Sequence, residues 1–427
     1  MPEQQLLAKL DDSSNHLVDC GYFISSMKLL IDSSNFAKRK HLAYDGESYS
    51  WVTTIDEDSI VLCGNSEKKY SIDHICSLLE IEKPTLLDEA QKNSFKELGV
   101  ELNQVPAIWI YSPEKFKSRL KEVTEWASDI YDTLDGYSYI NTFRKELEVL
   151  LGMESAMFDS VSFNRWCLGK NIDKKVKKSF TVDRLGYLKK VSYNNFSTRT
   201  GRIVTESGPQ LLTANKEIRG FLKSRYPNGR IVQLDFVSLE PRVALYAAGN
   251  KFVEDVYKMF NEVYFANSLE RSQIKKLVLC ALYGAGTRTL KKILPENISP
   301  SKAVKNVREA MNFSSLVESK REELRENSEM TNFFGRKITP SSERDSIIFN
   351  NWVQSSAVDV SLVGFRRLLK DFKSLNVNFN PLFLIHDALL IDASQEMVSY
   401  LDSNQKINVS IKELGDFPLS VEYLSKK

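Results

Sequence analysis

The sequence predicts a mixed α+β protein, and three observations carry the prediction. Apolar residues recur at helical spacing through 113–152, along a tract from 240 to 330, and again over 349–372. Short apolar runs bounded by turn residues, at 230–236 and 381–392, read as strands. The first 110 residues mix short apolar runs with turn signals and hold 18 acids against 10 bases, whereas the remainder holds 38 against 48. A net charge of +2 over 427 residues therefore hides an acidic N-terminal region and a basic remainder. That length suffices for two or three domains with a sizeable core. With 42% hydrophobic and 27% charged residues the chain reads as soluble and globular. No apolar run is long enough to cross a bilayer, and the N-terminus lacks the form of a secretory signal. A cytoplasmic protein, not secreted and with no membrane partner, is the expectation. Five cysteines without a CxxC pair point to a reduced compartment, and the four histidines do not cluster with them as zinc ligands would.

In chain order, the runs at 16–23, 50–54, 59–63 and 107–111 suggest a small α/β domain over 1–110. Ser112-Pro113-Glu114 has the form of a helix start, with Ser112 as cap. Phe116, Leu120, Val123, Trp126 and Ile130 then follow at helical spacing, and a second helix over 139–151 would pair antiparallel with the first. Between Asn164 and Arg202 stand 11 Lys and Arg against two Asp, interleaved with Phe180, Tyr187, Tyr193 and Phe196. A solvated charged face is the common cause of such a run, and a phosphate backbone is the other partner it suits. The strand at 230–236 carries Asp235 near its end. The helical tract that follows is broken near Gly249, Gly284 and Pro295. Gly335-Arg336-Lys337-Ile338 resembles a short hairpin, and the last two apolar runs flank His386-Asp387 as an antiparallel hairpin.

Within the tract, Arg271, Lys275, Leu279 and Tyr283 recur every four residues and Gly284 follows. On a helix they fall along one slowly drifting stripe. Ile274, Leu277, Val278 and Ala281 supply the buried side, Ser268 or Asn267 the cap, and Gly284 with Gly286 the stop. Cations in a first turn oppose the helix dipole unless an anion neutralises them. An amphipathic surface helix accounts for this segment about as well as a polyphosphate grip with a base-stacking ring two turns on.

Asp235 and Asp387 both close apolar runs. A carboxylate in such a place is costly unless it is paired or binds a cation. Two on adjacent strand ends suit a pair of Mg²⁺ ions, which keep waters and take their remaining ligands from substrate phosphates. Each Asp alone is more simply the first residue of a turn.

Taken together these segments resemble the DNA polymerase I-like, or family A, polymerases. Asp235-Phe-Val-Ser-Leu-Glu240-Pro-Arg242 is similar to their D-x-x-x-x-E-x-R motif, the stripe from Arg271 to Gly284 to their R-x-x-x-K fingers helix, and His386-Asp387-Ala388 to their H-D-E. Thr200-Gly201-Arg202, Phe334-Gly335-Arg336 and the Asn350, Gln354 pair are lesser matches, and the resemblance runs from about 180 to 395. It implies a right-hand polymerase: palm with an antiparallel sheet, helical fingers and thumb, plus the small N-terminal α/β domain. The domains would be 1–110; a helical thumb leading into the palm, 111–195; first part of the palm, 196–248; fingers, 249–340; second part of the palm, 341–427.

The implied activity is template-directed addition of dNTPs to a primer 3′ end. Asp235 and Asp387 would hold two Mg²⁺ ions, which Mn²⁺ can replace. Arg271 and Lys275 would grip the triphosphate, with Lys275 also protonating the leaving group. Tyr283 would close against the templating base, and Glu240 would sit where a ribose 2′-hydroxyl has no room. Arg242 would pair with a nearby carboxylate. Arg202 and Gln354 would touch the minor-groove edge, with Asn350, His386 and Gly284 also assigned to DNA contact. Three departures stand out: Leu279 where the family has Phe or Tyr, Ala388 where it has Glu, and Tyr257 where it often has His. Asp45-Gly46-Glu47 is the nearest thing to an exonuclease motif and has no later carboxylates to match, so proofreading is not expected. Partners beyond primer–template DNA would be a processivity factor, helicase or primase, met through residues 1–110, in phage replication or repair. A single-subunit RNA polymerase and a catalytically inactive nucleic-acid-binding relative are the alternatives.

Overall fold

The computed structural model divides after Leu151, into units Met1–Leu151 and Gly152–Lys427. It describes residues 29–31, 41–44, 48–52, 60–63, 76, 85–100, 105–135, 138–170, 172–195, 197–250, 253–284, 287–404, 406–412 and 414–424. The apolar run at 16–23, the triplet at 45–47, Phe196 and Gly286 lie outside the described residues.

In the first unit, β1 (Leu29–Ile31), β2 (His41–Tyr44), β3 (Tyr49–Val52) and β4 (Ile60–Cys63) form a sheet ordered β3-β2-β1-β4. Strand β1 runs antiparallel to β2 and parallel to β4. Helices α1 (Glu89–Glu97), α2 (Ala107–Ile110), α3 (Pro113–Asp135) and α4 (Ser138–Leu151) follow. Ser112 caps α3 as its sequence suggests, its Oγ accepting from Lys115 N–H at 3.3 Å. Phe116, Leu120 and Val123 are buried along one face, whereas Trp126 is exposed rather than part of that face. A 2.6 Å hydrogen bond between the Tyr49 hydroxyl and Thr124 Oγ1 ties β3 to α3.

The second unit begins with the basic stretch, which holds α5 (Ser160–Cys167) and α6 (Lys174–Ser179). Two ribbons flank them, β5 (Met157–Phe158) with β8 (Leu222–Lys223) and β6 (Ser192–Asn194) with β7 (Val204–Ser207). Two of the aromatics interleaved with its cations are core residues, not a stacking surface. Phe180 packs on Phe158 and Phe163 with ring centres 5.5 and 5.4 Å away. The buried Tyr193 hydroxyl donates to Leu384 C=O and accepts from Leu384 N–H, both at 2.9 Å. It thereby satisfies backbone groups on the outer strand of the main sheet, where unpaired groups are otherwise left.

That sheet contains β9 (Arg230–Phe236), β12 (Phe379–Ile385), β13 (Ala388–Ala393), β14 (Ile407–Ile411) and β15 (Gly415–Tyr423). Its order is β12-β13-β9-β15-β14, with all neighbours antiparallel. Residues Ile231 to Leu234 of β9 and every residue of β13 are buried. Both faces are therefore covered, and these strands read as continuous apolar runs. Between β9 and the second half of the sheet lie α7 (Leu239–Ala247), α8 (Val256–Phe265), α9 (Arg271–Tyr283), α10 (Thr287–Leu290), α11 (Pro300–Ala310) and α12 (Phe313–Asn327). The hairpin of β10 (Met330–Thr331) and β11 (Lys337–Ile338) comes next, then the long α13 (Asp345–Ser374); α14 (Gln395–Ser403) follows β13. The expected breaks at Gly249 and Gly284 are present, and left-handed Ala266 and Asn312 add two that the sequence reading did not locate.

Helix α13 packs close to the sheet at one glycine. A Cβ on Gly364 would meet Phe236 Cζ at 2.5 Å, and the same ring packs on Phe365 with centres 5.1 Å apart. Gly364→Ala is expected to destabilise the protein by about 1–3 kcal/mol through overpacking. Denaturant unfolding would show a lower midpoint at unchanged m-value.

Candidate active site

The site begins with strand register. Across the sheet, Ala388 on β13, Asp235 on β9 and Ser420 on β15 are direct neighbours. Only two residues, His386 and Asp387, join β12 to β13, and His386 takes a left-handed backbone at φ 57°. Such a tight turn commonly needs positive φ. Phe236 N–H donates to the Asp387 carbonyl at 3.1 Å, so the end of β9 is hydrogen-bonded to the turn that carries the second carboxylate.

A cleft of about 860 Å³ opens over this point. Its lining includes Asp235, Asp387, His386, Arg202, Gln354, Glu240, Tyr257, Arg271, Lys275, Leu279 and Tyr283. Of the residues given a role in the site from sequence, Asn350, Gly284 and Arg242 are absent from that lining. Asn350 is half-buried on α13, one turn before Gln354. Gly284 ends α9 at φ 71°, and a Cβ there would meet Ser346 Cβ at 2.6 Å, so its glycine is accounted for by backbone shape and close packing. Ser420, which the sequence reading did not single out, also lines the cleft, and its Oγ donates to Asp235 C=O at 3.2 Å. It sits on a strand that carries no motif, so register alone reveals it.

The stripe on α9 faces the cleft, with Ile274, Leu277, Val278 and Ala281 buried behind it. Its cap differs from expectation. Glu270 occupies the N-cap in a capping box with Gln273, in place of Ser268 or Asn267. Arg271 pairs with Asp255 at 2.5 Å and lies 5.5 Å from the centre of the Tyr257 ring. Asp255 also caps α8, accepting from Tyr257 N–H at 2.9 Å and Lys258 N–H at 3.1 Å. Burial pushes Asp255 up, yet the Lys258 N–H and Arg271 hold it below the usual carboxylate value. Among the described residues Lys275 has no salt-bridge partner.

Arg242 departs from its expected role. It is buried, and its guanidinium donates to the carbonyls of Val237 at 2.9 Å and Glu254 at 2.7 Å, to that of Val253, and to the Tyr246 hydroxyl at 2.9 Å. It organises backbone around α7 and, among the described residues, pairs with no carboxylate. The Tyr283 hydroxyl bonds instead to the Glu240 carboxylate, joining two of the cleft residues.

Charge is concentrated here. Burial, followed by repulsion from Asp387 and Glu422, pushes Asp235 up to about 6. Burial also raises Asp387, against the pull of its own backbone N–H, His386, Arg202 and Lys275. Burial raises Glu240, opposed by the Tyr283 hydrogen bond and Arg202. Two carboxylates that resist ionisation side by side have the donor chemistry of a hard-cation site. Among the described residues no group of three or more His, Cys, Asp or Glu gathers to bind a metal.

The sequence matches no protein-family model and no curated protein. Among solved structures, the chain is similar to the POL domain of Pol1 from M. smegmatis in complex with DNA primer-template and dNTP. Identity is 13% and the TM-score 0.56, with 98% of this chain and 97% of that chain covered. At this identity the likeness defines the fold alone, that of the Pol1 POL domain. No helix among the described residues is long and apolar enough to cross a membrane.

The raised carboxyl values have a measurable sign. In metal-free buffer the folded protein holds a proton on Asp235 up to about pH 6, whereas the unfolded chain releases it near 3.8. Asp235 therefore costs stability above that window and the cost disappears as pH falls through it. Asp235→Asn is expected to melt higher than wild type at pH 7 in EDTA, with the gap narrowing toward pH 5. A gap that stays constant or widens on acidification would contradict the assignment.

Proposed function

We propose that this chain is a template-directed DNA polymerase that adds dNTPs to a primer 3′ end. One observation carries the reading. A single cleft gathers two adjacent carboxylates from a strand end and a hairpin turn, and faces them with the Arg271–Lys275–Leu279–Tyr283 stripe. Binding alone would need the cations and not the carboxylates, which favours catalysis over an inactive scaffold. In this reading the sheet of β9 and β12–β15 is the palm and α8–α12 the fingers.

The primer 3′-oxygen attacks the α-phosphorus, the bond to the β-phosphate breaks, and pyrophosphate leaves as the 3′-hydroxyl proton passes to solvent. Asp235 and Asp387 would hold two Mg²⁺ or Mn²⁺ ions, whose Lewis acidity activates the hydroxyl and neutralises the triphosphate. Lys275 faces the phosphates as a cation and donates a proton to the leaving group. Arg271 exchanges Asp255 for phosphate, and its planar fork suits that partner. Glu240, held by the Tyr283 hydroxyl, presents a carboxylate and its stem to the sugar and leaves no room for a 2′-hydroxyl. Leu279 gives that sugar a looser, non-aromatic contact. Arg202 and Gln354 offer donors to minor-groove acceptors, which every base pair displays.

Primer extension on a defined template tests this reading. Wild type is expected to extend with dNTPs and Mg²⁺ and to stop in EDTA, and Asp387→Ala to lose at least about a hundredfold in rate. No extension by wild type, or undiminished extension by Asp387→Ala, would sink the proposal. Glu240→Ala is expected to raise rNTP incorporation roughly tenfold or more relative to dNTP. An unchanged ratio would remove Glu240 from the sugar-discriminating role.

A further inference from the structure

Arg202 and Gln354 reach the cleft from distant parts of the chain, and one buried polar cluster lies beneath both. The Thr200 hydroxyl donates to Gln354 Oε1 at 2.7 Å, which fixes the orientation of that amide. Gly201 follows with φ 73°, and a Cβ on it would meet the Arg336 guanidinium carbon at 2.7 Å. The turn before Arg202 therefore rests directly on the Arg336 guanidinium, an approach only glycine permits.

Arg336 is itself buried, at 3% exposure, and donates to Asn195 C=O at 3.1 Å. Its Nε faces Asp359 of α13 at 3.6 Å, and Asp359 is wholly buried. Asn332 completes the cluster. Its Nδ2 donates to Asp359 Oδ2 at 2.7 Å and to Ser355 Oγ at 3.0 Å, while its Oδ1 accepts from the Phe334 and Arg336 N–H groups at 2.9 Å each. The cluster thus joins the Thr200–Arg202 turn, the β10–β11 hairpin and the helix that bears Gln354. A buried ion pair adds little net stability over apolar packing, so stability alone is a weak reason for this one. It does fix relative positions, because every member has a defined partner.

We infer that Arg336, locked by Asp359 and Asn332, is a positioning residue. It sets Arg202 and Gln354 at a fixed spacing across the cleft, so that a correctly shaped primer-terminal pair meets both and a mispaired one does not. This rests on the polymerase reading above. Thr200, between the turn and Gln354, is the accessible test point, since substituting Arg336 or Asp359 can unfold the protein.

The experiment measures kcat/KM for the next dNTP on matched and mismatched primer termini, with melting temperature recorded for each variant. Thr200→Val is expected to keep matched extension within about threefold of wild type and to raise relative mismatch extension about five- to tenfold. Thr200→Ser, which keeps the hydroxyl, should restore the wild-type ratio, and Arg336→Lys should shift it in the same direction as Thr200→Val. An unchanged ratio in Thr200→Val, or matched and mismatched rates falling together with the melting temperature, would overturn the inference and leave a structural cluster. Wild type that extends neither terminus would overturn the polymerase reading and this inference with it, an outcome distinct from wild type extending while the ratio stays fixed.

Discussion

The hydrogen bond from Phe236 N–H to the Asp387 carbonyl joins the two halves of the cleft's acidic floor. It ties the end of β9 to a two-residue turn and obliges two carboxylates to be neighbours. The surrounding sheet has to support an arrangement that electrostatics opposes. It does so with buried apolar strands on both sides, with Tyr193 satisfying the backbone of the outer strand, and with α13 pressed onto Phe236 at Gly364. The unfavourable charge pairing is localised, and the rigidity that maintains it comes from the core.

Opposite the carboxylates, the cations on α9 raise the complementary problem of positive charge near a helix N-terminus. The chain resolves it internally. Glu270 caps the helix, and Asp255 pairs with Arg271 while capping α8. The anion that the stripe calls for is thus present as a carboxylate. On the polymerase reading, substrate binding exchanges one anionic partner for another at Arg271, while Lys275 has no salt-bridge partner among the described residues. Exposed pairs of this kind contribute about 0–1 kcal/mol, so little opposes the exchange.

Much of the site was legible because its chemistry leaves local marks. An apolar run ending in Asp, a four-residue repeat of Arg, Lys, Leu and Tyr, and a His-Asp between two apolar runs each survive as short segments, and the fold brings them together. What was not legible depends on partners far away in sequence. Arg242 looked like a carboxylate partner, yet its acceptors are mainly carbonyls set by the loop after α7. Tyr193 and Phe180 stand among cations in the sequence, yet both rings are buried in the core, which the charge around them does not reveal. Strands β14 and β15 carry no motif, although Ile407, Val409 and Ile411 alternate with polar residues in a pattern that sequence periodicity could have revealed. The Arg336, Asp359 and Asn332 cluster gave no signal beyond one weak match, since only the folded chain shows that its members meet.

On the polymerase reading, Asp235 and Asp387 form a two-cation site completed by nucleotide. Mn²⁺ binding followed by electron paramagnetic resonance, with primer–template bearing a 3′-deoxy terminus and a dNTP present, measures this without requiring turnover. On that reading two Mn²⁺ bind per chain in wild type, and both are lost from their shared site in Asp387→Ala. Wild type that binds none, or a variant that binds as wild type does, would contradict it.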